Sequence, residues 1–138
     1  MDEAAALAAL KHYLDTADQD VAHEIYHPDA VLEFPQSGER FDGVESFKAW
    51  RRIYPAKVDY ELRRFRGRGD FWVAEIVLRY DGGPPYYGVS ILEFRGDKVA
   101  HETIYGGEGW EAPEWRAPYR SAPPRAGADG PDTAGRLE

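Results

Sequence analysis

The chain has 138 residues, 43% hydrophobic and 14% aromatic, enough for one domain with a core. Its formal charge of −8 argues against nucleic-acid backbones and anionic membranes as partners, and no apolar run approaches the roughly 20 residues of a membrane span. The absence of cysteine excludes disulfides, thiol nucleophiles and thiolate metal sites, and the acidic start MDEAAALAAL is unlike an export signal, so a cytoplasmic setting is expected.

Residues 3–16 (EAAALAALKHYLDT) read as a helix, because alanine favours it and Leu7, Leu10 and Leu14 recur at helical spacing. A second helix is expected from Asp18 or Asp20 to Tyr26, with an acidic start and Pro28 as its stop. AVLEF (30–34) reads as a short strand closed by Pro35 and the turn QSGER. Residues 44–54 (VESFKAWRRIY) place Phe47, Trp50, Ile53 and Tyr54 at helical spacing, and Pro55 ends that helix. The period then changes to two. VDYELRRF (58–65), FWVAEIVLRY (71–80), YYGVSILEF (86–94) and KVAHETIY (98–105) read as strands joined by the turns GRGD, DGGPP and RGD.

Helices followed by strands give the α+β class: one curved antiparallel sheet wrapped around N-terminal helices, with a cavity between them. Residues 1–110 are expected to form the domain and 121–138 a disordered tail. Between them, residues 111–120 form an arm that Pro113 and Pro118 keep extended and that Trp115 and Tyr119 anchor. The arm is expected to fold back over the sheet or cavity mouth, or onto a second subunit.

HEIYH (23–27) matches H-E-x-x-H, in which two histidines one helical turn apart hold zinc and the glutamate is a general base. Pro28 pushes His27 out of helical geometry, and His12 and His101 lack the spacing of a third ligand. A chance match is therefore expected, with both histidines bystanders and no metal.

The stretches LKHYLDTADQDVAHEIYHPDAVLEFP, GVESFKAWRRIYP and GVSILEFRGDKVAHETIYGG, in that order, resemble the nuclear-transport-factor-like superfamily. That group includes SnoaL-like polyketide cyclases and ketosteroid isomerases, and the resemblance covers residues 4–108. It implies a cone-shaped, cystatin-like roll with a hydrophobic pocket. The superfamily hosts isomerases, cyclases, dehydratases, epoxide hydrolases and non-catalytic binders, so the fold does not fix the function. Tyr13 stands where ketosteroid isomerases place the tyrosine that donates to the developing oxyanion, and Tyr26 at a supporting tyrosine. Phe34 stands where their catalytic carboxylate would be, and Ser90 where their protonated aspartic acid would be. Steroid isomerisation in its usual arrangement is therefore not expected. Polyketide cyclases carry an aspartate near the end of the last strand; here IYGGEG offers only Glu108.

By the same resemblance, the face of the last strand carrying Ala100, Glu102 and Ile104 lines the cone, and Val99, His101, Thr103 and Tyr105 face away. A slip of one residue would exchange Glu102 for His101. Glu102 is the first candidate general base or acid; the bland alternative is a carboxylate paired with Arg51 or Arg116. Tyr13 is the candidate oxyanion donor or else a core tyrosine, with Tyr26 holding it. Trp50 and Tyr54 on one helical stripe, with Phe34, Trp72, Ile76, Leu92 and Ile104, are pocket wall or ordinary core. Ser90 is a candidate hydrogen-bond donor, Glu33 is expected outward, and RRFRGR (63–68) reads as a solvated strand end.

The expected function is binding of a small, largely apolar carbonyl or hydroxyl compound. Proton transfer of the isomerase, cyclase or dehydratase kind would need no cofactor. The alternative is a non-catalytic ligand-binding or dimerisation module, with Phe34 filling the base position. Tyr60, Tyr87 and Tyr105 on the outer sheet face would then join a homodimer.

Overall fold

Helix α1 (Glu3–Asp15) starts at Asp2, whose carboxylate accepts the Ala5 N–H at 2.8 Å, a side-chain cap on an alanine-rich run. Asp18 caps α2 (Gln19–Ala22) in the same way, accepting from Asp20 and Val21. The second helix is much shorter than its pattern suggested. It passes into a single 3₁₀ turn (His23–Ile25), and strand β1 (Tyr26–Phe34) begins at Tyr26. Pro28 explains this, since the residue before proline avoids helical geometry. His23 and His27 therefore lie on a turn and a strand, not on one helical face.

A hairpin strand absent from the sequence expectation, β2 (Glu39–Asp42), takes in the last two residues of the expected QSGER turn. Helix α3 (Val44–Arg52) stops short of Pro55, leaving Ile53 and Tyr54 outside it. Strands β3 (Val58–Arg68), β4 (Phe71–Tyr80), β5 (Pro85–Arg95) and β6 (Lys98–Glu108) complete one six-stranded sheet in the order β2-β1-β6-β5-β4-β3. All neighbours are antiparallel except β1 and β6. The computed structural model describes residues 1–121, so the tail expected at 121–138 lies, from residue 122 on, outside the described residues.

Irregularities in pairing bend the sheet and reset the alternation of side chains. Arg63 has no partner between Leu62↔Ile76 and Arg64↔Glu75, so Phe65 turns inward and stacks on Trp72 at 5.3 Å. Ala100 has no partner between Glu93↔His101 and Phe94↔Val99, so Val99 enters the core. The expected inward set Ala100, Glu102, Ile104 is thus corrected at its first member: Val99 replaces Ala100. Tyr60, expected on the outer face, follows Leu62 inward and lies 6.3 Å from the Tyr13 ring.

The helices cover this concave face. Its first rows (Val99 and Phe94, then Leu32, Leu92 and Trp72) are fully buried, whereas Phe34, Leu62, Ile76 and Ile104 are half-buried. The cone is closed at the first end and looser at the second. The arm takes a 3₁₀ conformation over Glu114–Tyr119 where an extended chain was expected. Trp110, Trp115 and Tyr119 are 86%, 74% and 83% exposed, so it does not fold back onto its own sheet.

Candidate active site on the concave face

Glu102 lies in the row formed by Leu32, Glu102, Leu92 and Trp72, and it is 6% exposed. A carboxylate in such a place needs hydrogen-bond partners. It has two: the Tyr26 hydroxyl donates to Oε1 at 2.5 Å and the Ser90 hydroxyl donates to Oε2 at 2.5 Å. Each oxygen keeps a further lone pair. Burial, then the adjacent Glu102 carboxylate, push the Tyr26 phenol well above the ordinary tyrosine range, so it stays a proton donor.

Arg51 reaches in from α3. Its Nη1 donates to the Tyr26 hydroxyl at 3.3 Å and to His23 Nε2 at 3.1 Å. Burial alone would lower its pKa, but the phenols of Tyr13 and Tyr26 and the Glu102 carboxylate outweigh that and raise it. The guanidinium lies over the rings of Tyr13, Phe47 and Trp50 at 5.3, 5.2 and 5.5 Å. His23 is buried, with Nδ1–H donating to the Gln19 carbonyl at 2.7 Å, which leaves Nε2 as the acceptor for Arg51. Burial, reinforced by the Arg51 charge, lowers its pKa to about 4. The result is a polar chain, Gln19–His23–Arg51–Tyr26–Glu102–Ser90, crossing an apolar cone.

A SnoaL-like domain model matches residues 7–102. An NTF-2 like protein of unknown function from Burkholderia xenovorans LB400 is similar to this chain at 40% identity and a TM-score of 0.79, over 87% of this chain and 96% of that one. This chain belongs to the SnoaL-like family. A candidate ketosteroid isomerase from Kribbella flavida DSM 17836 shares the fold at 22% identity and a TM-score of 0.77, over 89% of this chain and 93% of that one. So does a candidate polyketide cyclase from Sinorhizobium meliloti, at 22% identity and a TM-score of 0.62, over 71% of this chain and 94% of that one. Curated proteins give no match.

In this SnoaL-like domain the expected site residues divide. Glu102, Tyr26 and Ser90 are hydrogen-bonded together. Tyr13 packs edge-on against Tyr26 and His23 at 6.2 and 5.4 Å. The Tyr26 hydroxyl donates to Glu102, while its ring is the one that packs on Tyr13. Phe34 and Trp50 pack together at 5.9 Å, half-buried with Ile76 and Ile104. Trp72 and Leu92, in the same row as Glu102, are buried and part of the core. Tyr54 is 43% exposed and packs on Tyr80, because α3 ends before it. His101 faces outward and pairs with Glu33 at 2.6 Å, which removes the alternative register. Arg116 lies over Trp115 on the arm, 5.8 Å from its ring.

Two members went unrecognised. His23, expected as a bystander, is buried in the network. Arg51, expected at most as a direct partner of Glu102, is separated from it by the Tyr26 phenol. The signal was available: Val44, Phe47 and Arg51 follow one another at i, i+3, i+7, a single inward stripe.

Proposed function

We propose that this SnoaL-like domain binds a small, largely apolar carbonyl or hydroxyl compound in its concave face and moves a proton on it without a cofactor. The observation that carries this reading is Glu102, a buried carboxylate whose two oxygens are oriented by hydroxyl donors from two other strands. In the proposed step Glu102 takes a proton from the carbon next to the carbonyl. The C–H bond breaks, its electron pair forms the enolate, and the negative oxygen is held by the Tyr13 hydroxyl. Return of the proton to another carbon completes an isomerisation. Loss of a β-hydroxyl as water completes a dehydration.

The test is proton exchange into D₂O at the α-carbons of a panel of cyclic ketones, followed by NMR. The wild-type chain should accelerate exchange for at least one ketone, and Glu102→Gln should lose that acceleration by a factor of about 100 or more. Equal rates for the two proteins would sink the catalytic reading.

A second, non-catalytic reading is favoured by the exposed outer face. Tyr87 and Tyr105 are exposed there, and the arm adds Trp110, Trp115 and Tyr119. Such a surface suits a homodimer built from two sheets, with the arm across the partner. Sedimentation of the full chain should show a dimer, and a chain ending at Gly109 should be monomeric. A monomeric full chain would end this reading.

A further inference from the structure

Three exposed arginines of this chain hold a carboxylate, whereas Arg51, enclosed among aromatic rings, holds none among the described residues. Arg40 pairs with Asp42 at 2.8 Å, Arg95 with Asp29 at 2.7 Å, and Arg52 with Asp20. Lys48, on α3 like Arg52, holds both Asp20 and Glu45 at 3.1 Å. Arg51 is half-buried among aromatic rings and has no carboxylate within ion-pair distance among the described residues. Its hydrogen bonds go to two neutral groups, His23 and Tyr26, and both use Nη1. Nε and Nη2, which form one edge of the planar fork, carry no protein partner among the described residues.

The ring stacked near the guanidinium carries a second donor without an acceptor among the described residues. Trp50 precedes Arg51 on α3, its ring centre lies 5.5 Å from the Arg51 guanidinium carbon, and its Nε1–H is buried with no hydrogen-bond partner among the described residues. Buried N–H groups are rarely left this way. The rings of Phe34 and Phe41, at 5.9 and 5.5 Å from Trp50, continue the wall as an apolar surface.

We propose that Arg51 and Trp50 form a carboxylate subsite, so that the ligand of this cone is an organic acid with an apolar body. One carboxylate pairs with the free guanidinium edge, and the same group accepts from the Trp50 N–H. The apolar part lies on the aromatic wall. The Tyr26 phenol stands between this subsite and Glu102, so the ligand's negative charge is kept apart from the protein's buried carboxylate. This inference rests on the concave face being a ligand site; it does not require Glu102 to act as a base.

The experiment compares benzoate and cyclohexanecarboxylate with benzamide, their neutral counterpart, by titration calorimetry and tryptophan fluorescence on the full chain. Both carboxylates should bind at least tenfold tighter than benzamide. Arg51→Lys keeps the charge but loses the fork and should reduce the preference several-fold. Arg51→Met should abolish it. Trp50→Phe should weaken benzoate and leave benzamide unchanged. If Arg51→Met does not fold, the lysine and phenylalanine variants carry the test. Benzamide binding as well as benzoate, no binding of either carboxylate, or an undiminished preference in Arg51→Lys and Trp50→Phe would overturn the proposal. Glu102→Gln separates the two readings. It should keep the carboxylate preference even if α-proton exchange shows that Glu102 is not a base.

Discussion

Replacing His23 by glutamine should flatten the acid side of the stability curve. In the folded chain the His23 ring is buried against Tyr13, Tyr26 and Phe47, and Nε2 is needed as the acceptor for Arg51. A proton on Nε2 would set two donors against each other and place a second positive charge beside the guanidinium. Burial first, and Arg51 second, hold its pKa at about 4. In the unfolded chain the same ring titrates near about 6.5. Between those values the unfolded state takes up a proton that the folded state refuses. The group therefore costs nothing above pH 6.5 and destabilises the fold progressively as pH falls towards 4. The full separation corresponds to about 3 kcal/mol, and relaxation of the protonated side chain towards water reduces it to about 2 kcal/mol. Urea unfolding at a series of pH values from 7.5 to 4 checks this. The wild-type chain should lose about 2 kcal/mol more than His23→Gln across the series, carboxylate effects being common to both. Parallel curves for the two proteins would refute the reasoning, as would an NMR titration placing the His23 ring near its ordinary value.

The network and the closed end give three further expectations. Tyr26→Phe removes the donor to Glu102 and the acceptor for Arg51 together, and urea unfolding should show a loss of about 2 kcal/mol. Ser90→Ala removes one donor to the same carboxylate and should cost about 1 kcal/mol; a larger cost than Tyr26→Phe would contradict the geometry. Gly67→Ala should cost more than about 3 kcal/mol in the same assay, because a Cβ there would lie 2.1 Å from the Phe71 carbonyl oxygen and 2.6 Å from Trp72 Cα. A loss under about 1 kcal/mol would mean that β3 and β4 are not paired at Gly67↔Trp72.

Much of the architecture can be read from residues that act locally. Asp2 and Asp18 are helix caps by chemistry alone, and each accepts the N–H groups that such a residue should accept. Pro28 limits the second helix, and the sequence reading used that same residue to dismiss the zinc motif. The effect of Pro28 reaches back further than His27, and Tyr26 already belongs to a strand. The hairpin strand β2 escaped because its four residues, ERFD, show one half-buried position and no period. The site was legible in its strand members. Glu102 and Ser90 were expected on the cone face by resemblance to the isomerase hairpin, and the pairing of Leu92 with Glu102 and Ser90 with Ile104 places both there. Its helical members were not legible as partners, since Arg51 and His23 are brought together from different elements 28 residues apart.

The sequence by itself determined the order of helices and strands apart from β2 and the inward face of most strands, because these follow from caps, prolines and periodicity within a few residues; the family was legible as a resemblance of three stretches in order. Only the tertiary structure decided three things. The unpaired Arg63 and Ala100 reversed the alternation and drew Phe65 and Val99 into the core, and a bulge exists only relative to the strand opposite. The Tyr26 phenol became the link between Arg51 and Glu102, which needs β1, α3 and β6 in their final places. Finally, the enclosed arginine was left without a carboxylate while its exposed neighbours found theirs. Nothing in the local sequence around Arg51 differs enough from that around Arg52 to foretell it; what differs is the face of α3 on which each stands.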